Sequence, residues 1–77
     1  MSPPGSTQMS RQLEVAIRAK AALRVRVRMP DGREVDHVLE PSSVAGGRLR
    51  ARDRVADVER TLPLSSVVAI SPGPAPA

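Results

Sequence analysis

Arginine recurs at every second position in two short runs, Arg24, Arg26 and Arg28, then Arg48, Arg50, Arg52 and Arg54. A guanidinium is permanently charged and presents a planar fork of donors, so a row of them suits phosphate or another acidic surface. A spacing of two puts each row on one face of a strand. Glu34, Asp36 and Glu40 fall between the runs, and the excess of the seven arginines over these three acids equals the formal net charge of +4. The other five basic residues (Arg11, Arg18, Lys20, Arg33, Arg60) balance five acids (Glu14, Asp31, Asp53, Asp57, Glu59). If the strands are neighbours in chain order, the excess forms one basic sheet face. The same alternation also describes an ordinary solvated face, with cross-strand pairs such as Arg28 with Glu34 contributing less than ~1 kcal/mol. An acidic surface of another protein is a third way to use it.

Other chemistry is thinly represented. His37 with Ser42 or Ser43 has the residue types of a base and a nucleophile, but such a pair needs a third group to orient the base and an oxyanion hole, and nothing marks either. His37 falls on the inward register between Val35 and Leu39, the place of a packed histidine. Gly46-Gly47-Arg48 lacks the glycine spacing of a dinucleotide or P-loop motif and reads as a turn. The acids are scattered without metal-ligand spacing. With no Cys and one His, a disulfide framework, Cys-ligated zinc and a His-rich metal site are all excluded. The expectation is a protein that is not an enzyme and uses no cofactor.

Aromatic residues are absent altogether. Proteins that hold single strands without sequence preference stack bases on such side chains, so any nucleic-acid contact here is electrostatic, through arginine and backbone. At 77 residues the chain has room for one small domain, its core built from Leu, Ile, Val, Met and Ala. No run approaches the ~20 apolar residues of a membrane span, and Met1–Met9 lacks a basic-then-apolar leader pattern, so a cytoplasmic location is expected.

The elements that must position these residues follow from periodicity. Residues 1–9 and 71–77, rich in Pro, Gly, Ser and Ala, are expected to be solvated tails flanking one domain over 10–70. Ser10 suits the N-cap of a helix to about Ala22, with Leu13, Ala16, Ile17 and Ala21 on one face and Glu14–Arg18 as an i,i+4 pair. At Leu23 the period becomes two: Leu23, Val25, Val27 and Met29 alternate with the first arginine run. Pro30-Asp31-Gly32 turns the chain. Arg33 to Glu40 forms a second strand that Pro41 ends. A loop over Ser42–Gly47 leads to a third strand, Arg48–Arg54, with Leu49 and Ala51 inward. After a turn at Val55–Asp57 come a fourth strand, Val58–Leu62, a single helical turn at Leu64–Ser66 and a last strand, Val67–Ile70. The fold class is therefore mainly β, an N-terminal helix followed by a five-stranded meander closing into a small barrel, since closure removes exposed edges.

The order of these elements resembles the WYL domain, a small Sm-like (SH3-type) barrel of bacterial transcription regulators. It is closer still to the degenerate WYL-like segment at the C-terminus of some bacterial helicase-associated proteins. The resemblance spans about Leu13 to Ile70. Leu39-Glu40-Pro41 looks like the family's Val-Asp/Glu-Pro; Leu49, Ala51 and Asp53 resemble the strand with the naming tripeptide and its following Asp. Arg60 and Leu64 stand where the family has the Arg and Leu of its R-x-F-R-L-x-R-I stretch. The chain departs from the pattern at Gly47-Arg48-Leu49, where the tripeptide would be, and at Leu62, Pro63 and Ser66, where the family has an aromatic and two arginines. The resemblance implies a binding or regulatory module, with Arg60 as the one basic residue carried over.

Together these readings point to a non-catalytic module contacting nucleic-acid phosphates through Arg24, Arg26, Arg28, Arg48, Arg50, Arg52 and Arg54, with Arg60 added by resemblance, in the manner of an accessory domain of a helicase. The rival readings are a protein-interaction or homo-oligomerising module, using open strand edges, and a small-ligand sensor around Arg60 and the Gly46-Gly47 loop.

Overall fold

The computed structural model describes residues 4–73, with side chains from Gln8 onward. Its helix, α1 (Pro4–Ala19), turns Met9, Leu13 and Ala16 toward the core at helical spacing. It begins six residues earlier than the N-cap expected at Ser10, which instead sits exposed within the helix. A proline suits the first helical position, because its missing N–H belongs to the donors that have no helical partner anyway. Residues 4–9 are thus helical rather than a tail, and residues 1–3 and 74–77 lie outside the described residues.

The helix also stops earlier than expected, at Ala19. Lys20 takes a left-handed conformation, φ 53°, and its N–H donates to the Ile17 carbonyl (3.3 Å) while that of Ala21 reaches back to Ala16 (2.9 Å). This pair of bonds is a Schellman stop, which ordinarily uses glycine at the left-handed position. A lysine there carries a steric cost of ~1–2 kcal/mol.

Five antiparallel strands follow: β1 (Leu23–Arg28), β2 (Glu34–Ala45), β3 (Arg48–Asp53), β4 (Val58–Pro63) and β5 (Val67–Pro72). They form one sheet in the order β4-β3-β2-β1-β5. The helix and the strand count agree with the expectation; among the described residues β4 and β5 do not pair, so the sheet is open. Leu64–Ser66 form the expected single turn, a 3-10 helix, and carry the chain from one sheet edge to the other. Five flat strands would set those edges ~19 Å apart, beyond the ~15 Å that such a link spans fully extended. The sheet must therefore curl.

The curl has visible sources. Pro41 does not end β2; it lies buried within a 12-residue strand. The β1 ladder has already ended at Leu39, so a proline interrupts nothing on that side, and the register with β3 shifts between Pro41 and Ser43. Ser42 is the extra residue of this bulge, and its hydroxyl donates to the Arg50 carbonyl (3.1 Å). A second shift in β1–β5 leaves Val68 unpaired. The expected loop over 42–47 shrinks to Gly46-Gly47, both at positive φ (59° and 73°), the two-residue turn that matches strand twist. Ser71 and Pro72, expected in a tail, pair with Arg24 and Leu23.

The curled sheet closes on α1 around Leu13, Val25, Val27, Leu39, Leu49, Ala51 and Val67, all buried. Met29, expected on the inward row of β1, lies just past the strand and is exposed. Because the helix stop carries strain that glycine would lack, Lys20→Gly is expected to raise the unfolding free energy by about 1 kcal/mol. Urea denaturation followed by far-UV circular dichroism checks this; an unchanged or lower midpoint would remove the strain from the account.

Candidate functional site

The alternating arginines do share the outward face of the sheet, opposite the core row, and all seven are exposed. The register determines what each one meets. On the β1–β2 ladder Arg26 lies across from Asp36 and Arg28 across from Glu34, and both form ion pairs, at 3.0 and 3.3 Å. Arg54, in the turn after β3, reaches Glu40 of β2 at 2.9 Å. On the other flank Arg50 pairs with Glu59 at 3.2 Å, and Arg52 pairs with Asp57. The Arg26 hydrogen bond holds Asp36 below the usual carboxylate range, and Asp36 in turn raises Arg26.

The β3–β4 hairpin thus brings two further acids, Asp57 and Glu59, onto a face whose balance seemed set by β2 alone. Five of the seven arginines have a carboxylate partner. Arg24 and Arg48 have none among the described residues. Arg24 stands opposite Val38 and Arg48 opposite Ala45, about 23 Å apart along β2 at ~3.3 Å per residue. The surplus charge on this face consists of two separated guanidinium groups. The paired ones keep most of their donors, since each partner occupies one or two of the five N–H groups.

Arg60 is not on this face. It follows the parity of Leu62, half-buried, and its Nε donates to Asp53 Oδ2 at 2.7 Å. Asp53 is 2% exposed and the only buried charged side chain among the described residues. Its other oxygen accepts the backbone N–H groups of Ala56 (3.0 Å) and Val55 (2.9 Å), which tie down the β3–β4 turn. His37 Nδ1 of β2 lies 3.5 Å from Oδ2. The backbone bond from Ala56 and the Arg60 guanidinium outweigh burial and hold the carboxyl down at about 2. Arg60, His37, Asp53 and Val55 line a cleft of about 260 Å³.

The buried pair was legible in one respect. Asp53 shares the inward parity of Leu49 and Ala51, and an acid on a buried row must have a partner. Which partner depended on the β3–β4 register, which periodicity does not supply. His37 takes the inward position expected, and neither serine paired with it in the sequence lines its cleft: the Ser42 hydroxyl donates to the Arg50 carbonyl (3.1 Å), and Ser43 lies across from Arg50 in the β2–β3 ladder. Among the described residues no three His, Cys, Asp or Glu side chains group to hold a metal ion, and no helix is long and apolar enough to cross a membrane.

No protein-family model matches the chain, and no curated protein matches its sequence.

Asp53 makes the fold acid-sensitive. Its carboxyl titrates lower in the folded chain than the ordinary 3.8, so its contribution is complete above that value and is lost as pH falls toward about 2. Denaturation midpoints measured from pH 6 to pH 2.5 are expected to fall through this window. Asp53→Asn should start lower and show a flatter profile; a variant retaining the full acid-dependent loss would assign the dependence to other carboxylates.

Proposed function

We propose that the chain is a non-catalytic nucleic-acid-binding module that contacts the phosphate backbone through the outward face of its sheet. The observation that carries this is the grouping of seven exposed arginines on one face, opposite the core. Exposed ion pairs of the kind on this face are worth ~1 kcal/mol or less, so a phosphate competes readily with the carboxylates for the remaining donors. Arg24 and Arg48 have no such competitor and are the primary contacts; Arg26, Arg28, Arg50, Arg52 and Arg54 add weaker ones.

The fold is read further as a WYL-like, Sm-type barrel serving as an accessory domain, as in a cytoplasmic helicase. The edge-to-edge 3-10 crossing after β4 supports barrel-like closure. Asp53 and Arg60, both at positions where the chain resembles that family, touch each other at 2.7 Å, which supports the alignment of the two strands.

Counter-ion release gives the test. Binding to duplex oligonucleotides, followed by fluorescence anisotropy across salt, should give a log–log slope of about −2, the value for roughly two neutralised phosphates. Seven full contacts would give a slope near −6. Arg24→Glu with Arg48→Glu should reduce affinity by at least about tenfold at low salt, and Arg28→Glu by less. Salt-independent binding, or no binding at low salt, would overturn the reading.

A further inference from the structure

On the helix side of the sheet, where α1 ends and β1 and β5 meet, lies an open groove of about 650 Å³ that shares only Arg54 with the arginine face. Its walls are Val15, Ala16 and Ala19 of α1 on one side and Leu23, Pro72 and Gly73 on the other, with Ala21 and Ala22 between. The far wall is fixed closely: the Gly73 N–H donates to the Ala22 carbonyl (3.2 Å), and a side chain at Gly73 would stand 2.5 Å from that oxygen. The lining is apolar and made of small residues, so another backbone could approach it closely. Val15 is 64% exposed on this wall, although the core-facing row of α1 runs through Leu13 and Ala16.

Among the described residues the charged side chains that line the groove are all basic: Arg54, already paired with Glu40, and Arg11 and Lys20, which have no ion-pair partner there. Lys20 is the left-handed residue of the helix stop, where glycine would fold with less strain. A lysine kept there at a steric cost sets an ammonium at the groove's edge. We propose that this groove docks an acidic amphipathic helix of a protein partner, its apolar stripe over the alanine floor and its carboxylates on Arg11 and Lys20. Such helices seat in grooves through residues at i, i+3 or i+4, and i+7. A second copy of the chain fits poorly, because a self-paired groove would bring these cations against one another. A flat lipid surface does not reach a floor recessed between helix and strand ends.

The test uses the full chain and labelled helical peptides of about 15 residues, with Leu at i, i+4 and i+7 and flanking Glu, or the same peptides with Lys in place of Glu. The Glu peptides should bind, more weakly as salt rises, with amide shifts at Val15, Ala19 and Leu23, and the Lys peptides about tenfold more weakly or not at all. Val15→Glu, at an exposed position that leaves the core intact, should weaken Glu-peptide binding by about tenfold. Lys20→Gly should raise the melting temperature and still weaken the peptide, a combination that a purely structural lysine would not produce. Arg24→Glu with Arg48→Glu should leave peptide binding unchanged, separating the groove from the sheet face. Equal binding of Glu and Lys peptides, no Glu-peptide binding at any concentration tested, shifts confined to the sheet face, or binding to anionic vesicles that Val15→Glu abolishes would each overturn the proposal.

Discussion

The buried carboxylate of Asp53 is the interaction on which the rest of the sheet depends. It sits at the end of β3, accepts two backbone N–H groups of the turn that follows, and takes a guanidinium from β4 and an imidazole nitrogen at 3.5 Å from β2. One side chain therefore bonds to the turn and to β4 while touching a third strand. The core around it has no aromatic residue to fill volume, and its largest fully buried side chains are Leu13, Leu39, Leu49 and Val25. In so thin a core, a charge taken out of water is tolerated only when its oxygens are fully bonded, and no buried side-chain N or O atom among the described residues lacks a partner. The same bonds align β3 against β4, and with them the outward arginines against Glu59 and Asp57.

That alignment decides the electrostatics of the opposite face. Parity alone places Arg48, Arg50 and Arg52 outward, but says nothing about which acids lie beside them. The β3–β4 register sets Arg52 across from Glu59 and Arg50 across from Thr61, and the ion pairs form diagonally from there. A face that carries the chain's whole surplus when counted strand by strand becomes, once folded, a mosaic of pairs with a lone guanidinium toward each end. For the phosphate contact proposed above, such a surface offers two unpaired guanidinium groups rather than a continuous basic stripe.

What was legible in the sequence follows the range of the interaction that determined it. The five strands, the turn at Leu64–Ser66 and the inward row Val25, Val27, Leu39, Leu49 and Ala51 are local periodicity, and they stand. The misreadings lie where a neighbour overrides local propensity. Pro41 breaks a ladder only if there is one to break, and β1 had already ended. Ser71 and Pro72 have turn-former composition yet pair with β1, because the edge of the sheet offers them Arg24 and Leu23. The stop at Lys20 turns on capping geometry, where the usual glycine is absent. For the candidate site, the seven arginines, their common face and the Arg28–Glu34 pair were readable; the remaining pairs, which leave Arg24 and Arg48 apart, were not, since they require the register.

Lys20 and Asp53 illustrate opposite ways in which a small domain departs from the easiest residue at a position. Asp53 is costly as a charge but recovers that cost through bonds within the chain, so its place is explained by folding alone. Lys20 recovers nothing of the kind: among the described residues its ammonium has no ion-pair partner, and its backbone bonds would form as well with glycine. Strain without an internal return fits the docking role proposed for Lys20. Its position on the rim of an apolar groove with a basic charged lining gives the partner in that role a chemistry, acidic and amphipathic. The sheet face and the groove would then bind partners of the same sign by different means, one through exchangeable guanidinium pairs and the other through apolar contact bordered by charge. Arg54, which belongs to both, stands where the two surfaces meet.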